Sequence, residues 1–185
     1  MKIIVGVSGA SGIIYAIQLL KNLRKFNIET HLILSKWAEY NLMHETSVQL
    51  DEMKAMADFF YDNSDLSATI ASGSFFTDGM IVVPCSMKTL AAITYGCTDT
   101  LLIRAADVTL KEKRKLVLVP RETPLSIIHL RNMFAVAQAG AMILPPMPAF
   151  YHHPTTINDI VDHTVSKILD QWGIDGGLIH RWEKN

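Results

Sequence analysis

The chain opens MKIIVGVSGASGIIYAIQLL, residues 1–20. Ile3-Ile4-Val5 is a short β-branched apolar run, which suits a buried strand. It stops at GVSGASG, residues 6–12, and from Ile13 apolar residues recur at helical spacing. A strand, a tight turn and a helix in that order make the first half of a strand–helix–strand unit. Backbone N–H groups at such a helix N-terminus attract anions, phosphate included. Tight packing needs the same small residues, so the turn alone leaves both readings open. Its glycines stand at 6, 9 and 12, which is not the G-x-G-x-x-G of dinucleotide enzymes. No Gly-Lys-Ser/Thr follows to make a nucleotide-triphosphate loop.

Moving outward, apolar runs alternate with helical patterns along the rest of the chain, the signature of a parallel sheet with crossover helices. Strands are expected at Lys2–Val7, Thr30–Leu34, Met80–Val83, Lys115–Val119 and Ala141–Leu144. Helices are expected near 13–25, 37–45, 51–61, 87–95, 104–113, 125–138 and 156–171, the last from a Thr155-Thr156 cap. The fold class is therefore α/β, a doubly wound parallel sheet. Length and the lack of a linker point to a single domain over residues 1–185. In such sheets ligands sit beyond the carboxyl ends of the strands. Four of the expected strand ends run into GASG, SK, PCSMKT and PRETPL, and the fifth enters PPMPAFYHHP. That convergence points to one composite site.

Composition narrows the function classes. A net charge of −1 argues against a general nucleic-acid binder. Hydrophobic residues make up 49% and charged ones 19%, with a mean hydropathy of +0.21, so some apolar surface is expected to be covered by other subunits. No signal-peptide layout or bilayer-length apolar run stands out, and Cys85 and Cys97 have no metal-ligand spacing. The reading is a cytoplasmic protein with reduced thiols. The histidines form no i, i+4 pair, and no metal is expected.

The second strand ends Leu34-Ser35-Lys36, where an NAD enzyme would place a ribose-binding acid, and a serine with a lysine suits an anion better. In PCSMKTLAAI, residues 84–93, Ser86 and Thr89 can cap a helix whose free N–H groups could hold a phosphate. Lys113, Arg114 and Lys115 read as a solvated helix end. Arg121 and Glu122 directly follow an apolar strand at the ligand edge. An arginine there can fork onto phosphate and a carboxylate can move protons, while a plain ion pair stays open for Glu122.

GVSGASG, LILSKWAE, ASGS, PCSMKTLAAI, RAADVTLKE, LVLVPRETPLSIIHLRNM and PPMPAFYHHP together closely resemble the UbiX-type flavin prenyltransferases, in order from Lys2 to about Trp182. The resemblance implies a flavodoxin-like sandwich of three layers, assembled as a dodecamer with active sites where subunits meet. It implies transfer of a dimethylallyl group from dimethylallyl phosphate, or the pyrophosphate, to N5 and C6 of reduced FMN. The prenylated FMN would serve a UbiD-type decarboxylase. Carried over by position, Gly9, Ala10, Ser11, Ser35, Ser86, Met87, Lys88, Thr89 and Arg121 are the FMN contacts. Arg104, Lys111, Arg121, Glu122, Tyr151 and Lys167 handle the prenyl phosphate, and Glu45 and Trp182 fall at further active-site positions. Lys167 is an arginine in some relatives, so the bidentate fork is lost while the charge is kept.

In that reading the cations stabilise charge on the departing phosphate, and the flavin with Trp182 faces an allylic cation. Glu122, or the released phosphate, takes the final proton, and Ser11 stands near N5. The flavin phosphate is expected on the side of Ser35 and Ser86–Thr89. Two other readings stay in view: an FMN-dependent cysteine decarboxylase of related fold, and a non-catalytic flavin carrier of a decarboxylase system. PCSMKTLAAI lacks the asparagine loop expected of the cysteine decarboxylases.

Overall fold

The computed structural model describes residues 1–178, so Trp182 lies outside the described residues. The chain divides into two compact units, Met1–Pro145 and the part from Pro146 onward. The first unit carries β1 (Lys2–Val7), α1 (Ile13–Lys25), β2 (Glu29–Leu34), α2 (Lys36–Glu45), α3 (Leu50–Lys54) and β3 (Phe59–Asp62). It continues through β4 (Gly79–Cys85), α4 (Met87–Tyr95), α5 (Leu101–Lys111), β5 (Lys115–Pro120), α6 (Ile127–Gln138) and β6 (Met142–Ile143). All strand pairs are parallel, in the order β3-β2-β1-β4-β5-β6. This is the doubly wound sheet that the alternation implied, in the flavodoxin-like three-layer form that the family resemblance implied.

Two expectations need correcting. The sheet has six strands, because residues 51–61 do not form one helix. The helix stops at Lys54, and Phe59–Asp62 pairs with β2 from His31↔Phe59 to Leu34↔Asp62. Aromatic residues favour a pleated surface. Asp58 fixes the entry, its carboxylate accepting from the Thr30 N–H at 2.8 Å and the Thr30 hydroxyl at 3.0 Å. In addition, α5 begins at Leu101 rather than at 104, because Asn63 caps it from the loop after β3. The Leu101 N–H donates to the Asn63 carbonyl at 2.8 Å, and the Leu102 N–H to Asn63 Oδ1 at 3.0 Å.

β1, β2, β4 and β5 are buried almost end to end, as a sheet covered on both faces requires. Ile4, Met80, Val82, Leu102, Leu116 and Leu118 belong to one apolar cluster. Truncating one such side chain to alanine costs roughly 2–5 kcal/mol. Gly6 allows α5 to pack closely: a Cβ there would stand 2.9 Å from Met80 Cε and 3.1 Å from Leu102 Cγ.

At the opposite edge, His31 is buried in β2. It is stacked on Phe59 and hydrogen-bonded to Tyr61 Oη at 2.9 Å and to Glu29 Oε1 at 3.0 Å. Burial, opposed by the Glu29 carboxylate, pushes this imidazole below its ordinary value of 6.5. The unfolded chain therefore binds the proton more tightly. The stability held above 6.5 declines as pH falls from that value toward the folded one. His31→Gln cannot take the proton, so its Tm should fall less steeply than that of the native protein on acidification through this window, read by thermal melts in parallel buffers.

The second unit carries α7 (Ile157–Asp170), which buries Val161, Val165, Ile168 and Leu169. Thr156 caps it as expected, accepting from the Asp159 N–H, while the Asp159 carboxylate accepts from the N–H groups of Thr155 and Thr156. Among the described residues, no helix is long and apolar enough to cross a membrane.

Candidate functional site

Because every strand runs the same way, all carboxyl ends meet one edge of the sheet. The winding reverses at β1, with β2 on one side and β4 on the other. There Ser8, 1% exposed, ties the two flanking loops together. Its hydroxyl donates to the Pro84 carbonyl at 3.0 Å and accepts from the Ser86 N–H at 2.7 Å.

The loop after β1 is held from one face of α2. Trp37, Asn41 and Glu45 follow at i, i+4 and i+8, so they line up along the helix. A Cβ on Gly9 would lie 2.3 Å from Trp37 Cβ. Asn41 Nδ2 donates to the Ala10 carbonyl at 2.9 Å. Glu45 Oε2 accepts from the N–H groups of Gly12 at 2.8 Å and Ile13 at 3.2 Å. The N-terminus of α1, whose cap Gly12 has φ +114°, is thus filled by a carboxylate of the chain itself. Asn63 fills that of α5 in the same manner.

Two helix N-termini at this edge carry only their own caps. Ser35 Oγ accepts from the Ala38 N–H at 3.1 Å, and Ser86 Oγ from the Thr89 N–H at 3.2 Å while donating to Thr89 Oγ1. The remaining first-turn N–H groups of α2 and α4 have no intrahelical acceptor. Both helices border a cleft of about 530 Å³ lined by Gly9, Ser35, Trp37, Ser86, Lys88 and Thr89, with Asn63, Ala92, Cys97, Asp99, Thr100, Leu102 and Ile103 completing its wall. Trp37, 62% exposed, gives this cleft a flat apolar surface. Among the described residues Lys88 has no ion-pair partner.

The structure therefore brings Gly9, Ser35, Ser86, Lys88 and Thr89 together. Ala10 is buried and Ser11 half-buried in the same loop without lining the cleft, and Met87 packs against the apolar cluster. The backbone of Arg121 is fixed beside Ser86 by its N–H bond to the Cys85 carbonyl at 3.2 Å. Its exposed guanidinium has no partner among the described residues. Glu122 is exposed and accepts from the Thr123 N–H at 3.0 Å.

Arg104 and Lys111 stand two turns apart on α5 and line a different cleft, also about 530 Å³, against Ala71–Ser74. Arg104 Nε donates to the Ala71 carbonyl at 3.1 Å and Nη1 bonds Asp107 at 2.9 Å. Lys111 pairs with Glu112, whose carboxyl the ammonium holds below its usual range. In the second unit, Tyr151 Oη lies 3.2 Å from His163 Nε2, and Lys167 Nζ lies 3.8 Å from Asp170. Among the described residues no three His, Cys, Asp or Glu gather as metal ligands.

Ser8, Trp37, Asn41 and Asn63 were not singled out from the sequence. A lone serine at the end of a buried strand signals Ser8 and the i, i+4 spacing signals Trp37 with Asn41, while Asn63 carries no such signal in the sequence.

A Flavoprotein family model matches residues 1–169. A probable UbiX-like flavin prenyltransferase of Escherichia coli O157:H7 is 55% identical, the match covering 99% of this chain and 93% of that one. The flavin prenyltransferase LpdB of Lactiplantibacillus plantarum is 54% identical over 98% of each. The crystal structure of AnUbiX in complex with FMN and dimethylallyl pyrophosphate superposes with a TM-score of 0.98 at 51% identity, covering 99% of this chain and 97% of that one. A dodecameric FMN-dependent UbiX-like decarboxylase from Escherichia coli O157:H7 gives 0.98 at 55% identity, with 100% of both chains covered. The fold and the family match are those of a flavoprotein. Within that class, the chain belongs to the UbiX-type flavin prenyltransferases. The peptidyl-cysteine decarboxylase EpiD, 18% identical with a TM-score of 0.63, shares the fold alone.

Proposed function

We propose that the chain transfers a dimethylallyl group from dimethylallyl phosphate, or the pyrophosphate, to N5 and C6 of reduced FMN, for use by a UbiD-type decarboxylase. The observation that carries this reading is the cleft in which Gly9, Ser35, Ser86, Lys88 and Thr89 converge, in a chain of this family. The donor set fits the flavin: two helix N-termini and Lys88 suit its phosphate, and Trp37 offers a face to its ring. The volume falls in the ordinary range for a small-molecule site. Reduced FMN, when bound, supplies the electron-rich ring atoms that accept the prenyl carbons.

The chain's own groups handle the rest. Arg104 keeps its place through Ala71 and Asp107. The family resemblance assigns Arg104, Lys111, Arg121 and Lys167 to the charge of the departing phosphate, and Tyr151 to a hydrogen bond with it. Glu122 is assigned as proton acceptor, with Ser11 beside the reacting ring. Glu45 acts through the α1 N-terminus, and Trp182 keeps the active-site role that the family resemblance implies. The family match runs through both compact units, which supports one flavoprotein domain over 1–185.

The exposed apolar face of α6, with Ile127, Ile128 and Phe134 each more than 60% exposed, supports assembly as a dodecamer like that of the E. coli neighbour. A cytoplasmic location is part of the same proposal. Anaerobic incubation of the purified protein with reduced FMN and either prenyl donor should add one C5 unit to the flavin by mass spectrometry. No mass gain with both donors would turn the reading to a flavin carrier.

A further inference from the structure

Two successive residues at the end of β1 hold the entries of both helices that border the cleft. On one side the Val7 carbonyl accepts from the Ser35 N–H at 3.0 Å. On the other the Ser8 hydroxyl accepts from the Ser86 N–H at 2.7 Å and gives its own hydrogen to the Pro84 carbonyl at 3.0 Å. Ser35 and Ser86 are the N-caps of α2 and α4. The direction of each bond is fixed, since a carbonyl only accepts and a backbone N–H only donates.

The second contact falls to a side chain for a reason that lies in the sheet. In a parallel ladder the N–H and the carbonyl of one residue bond the two residues that flank its partner. The Ser8 N–H keeps that pattern, donating to the Pro84 carbonyl at 3.2 Å. The Ser8 carbonyl would take Ser86 next, but the chain turns away there into the loop before α1. The hydroxyl takes the Ser86 N–H instead, so β1 leaves the sheet while α4 stays tied to it.

We propose that Ser8 is a positioning residue for the flavin phosphate: its hydroxyl holds the α4 N-terminus where one phosphate can meet both α4 and α2. The inference rests on the reading that the flavin phosphate lies on these two helices. Both N-cap N–H groups are spent on β1, and the cap hydroxyls take the N–H groups of Ala38 and Thr89. That leaves the N–H groups of Lys36 and Trp37 on α2, and of Met87 and Lys88 on α4, without an intrahelical acceptor. A phosphate bonded by both pairs needs the two helix ends at one spacing. Val7 sets its side of that spacing through the main chain, which no substitution removes. Ser8 sets the other through a side chain that can be removed.

The test is the ratio of FMN to riboflavin affinity, read by flavin fluorescence titration, which isolates the phosphate. Ser8→Ala should lower that ratio about three- to tenfold, the worth of one hydrogen bond, with riboflavin affinity held. Ser8→Cys fills the same space with a weak acceptor and should lower it too, which keeps the test open if Ser8→Ala fails to fold. If FMN and riboflavin affinity fall together, the hydroxyl serves the fold alone and the positioning role is overturned. A rise in the ratio overturns it as well, because the freed Ser86 N–H would then serve the phosphate better than its bond to Ser8 does. If Lys88→Ala lowers the ratio and Ser8→Ala does not, the positioning role falls while the phosphate reading stands. If neither moves it, the phosphate reading fails and the inference goes with it.

Discussion

Gly9→Ala is expected to weaken FMN binding about a hundredfold or more, which corresponds to roughly 2.7 kcal/mol. The added Cβ would stand 2.3 Å from Trp37 Cβ and 3.5 Å from Trp37 Cα. These atoms are the root of a side chain on the first turn of α2 and cannot swing aside. Either that turn or the loop must shift, and forced repacking of this kind costs about 1–3 kcal/mol. Any such shift spoils the cleft, because Gly9, Ser35 and Trp37 all line it. Gly73→Ala is the control. Its Cβ would crowd Glu112 Oε1 and Lys111 Nζ, the far ends of flexible side chains at another cleft, so FMN binding should hold. Flavin fluorescence titration measures both. Native affinity in Gly9→Ala would remove Gly9 and Trp37 from the FMN site.

Much of this was legible in the chain. The first strand, first helix and the helix after Ser86 fall where the sequence places them, since each pairs an unbroken apolar pattern with a cap or a glycine stop. The loops that converge were visible because a parallel sheet delivers all its strand ends to one edge. The edge strand β3 was not. Its pattern continues the helical run before it, and the partner that makes it a strand, β2, stands about 28 residues away in register. Nor could spacing show that Glu45 and Asn63 occupy helix N-termini, since both contacts are made across the fold. Motif position gave Glu45 a place in the site, and geometry gives it a partner. For Arg104 and Lys111 the sequence supplied the charges, but their shared wall with Ala71–Ser74 needed the folded chain.

Glu45→Ala should lower Tm by roughly 1–8 °C and yet leave the preference for FMN over riboflavin intact. The first effect follows from two N–H groups of α1, those of Gly12 and Ile13, losing their shared acceptor. Losing the acceptor that caps a helix N-terminus costs about 0.5–2 kcal/mol, and each kcal/mol moves Tm by about 2–4 °C in a chain of this size. Glu45→Gln keeps an acceptor oxygen but loses the charge that favours a helix N-terminus, so it should fall between the two. The second effect tests where the flavin phosphate rests. The ratio of FMN to riboflavin affinity isolates the phosphate. If the phosphate lay on α1, removing the Glu45 carboxylate would vacate its donors and raise that ratio. If it rests on α2 and α4, the ratio stays, while Lys88→Ala lowers it about three- to tenfold by removing one cation from the cleft. A rise in Glu45→Ala with no change in Lys88→Ala would move the phosphate to α1 and reverse the assignment of these loops.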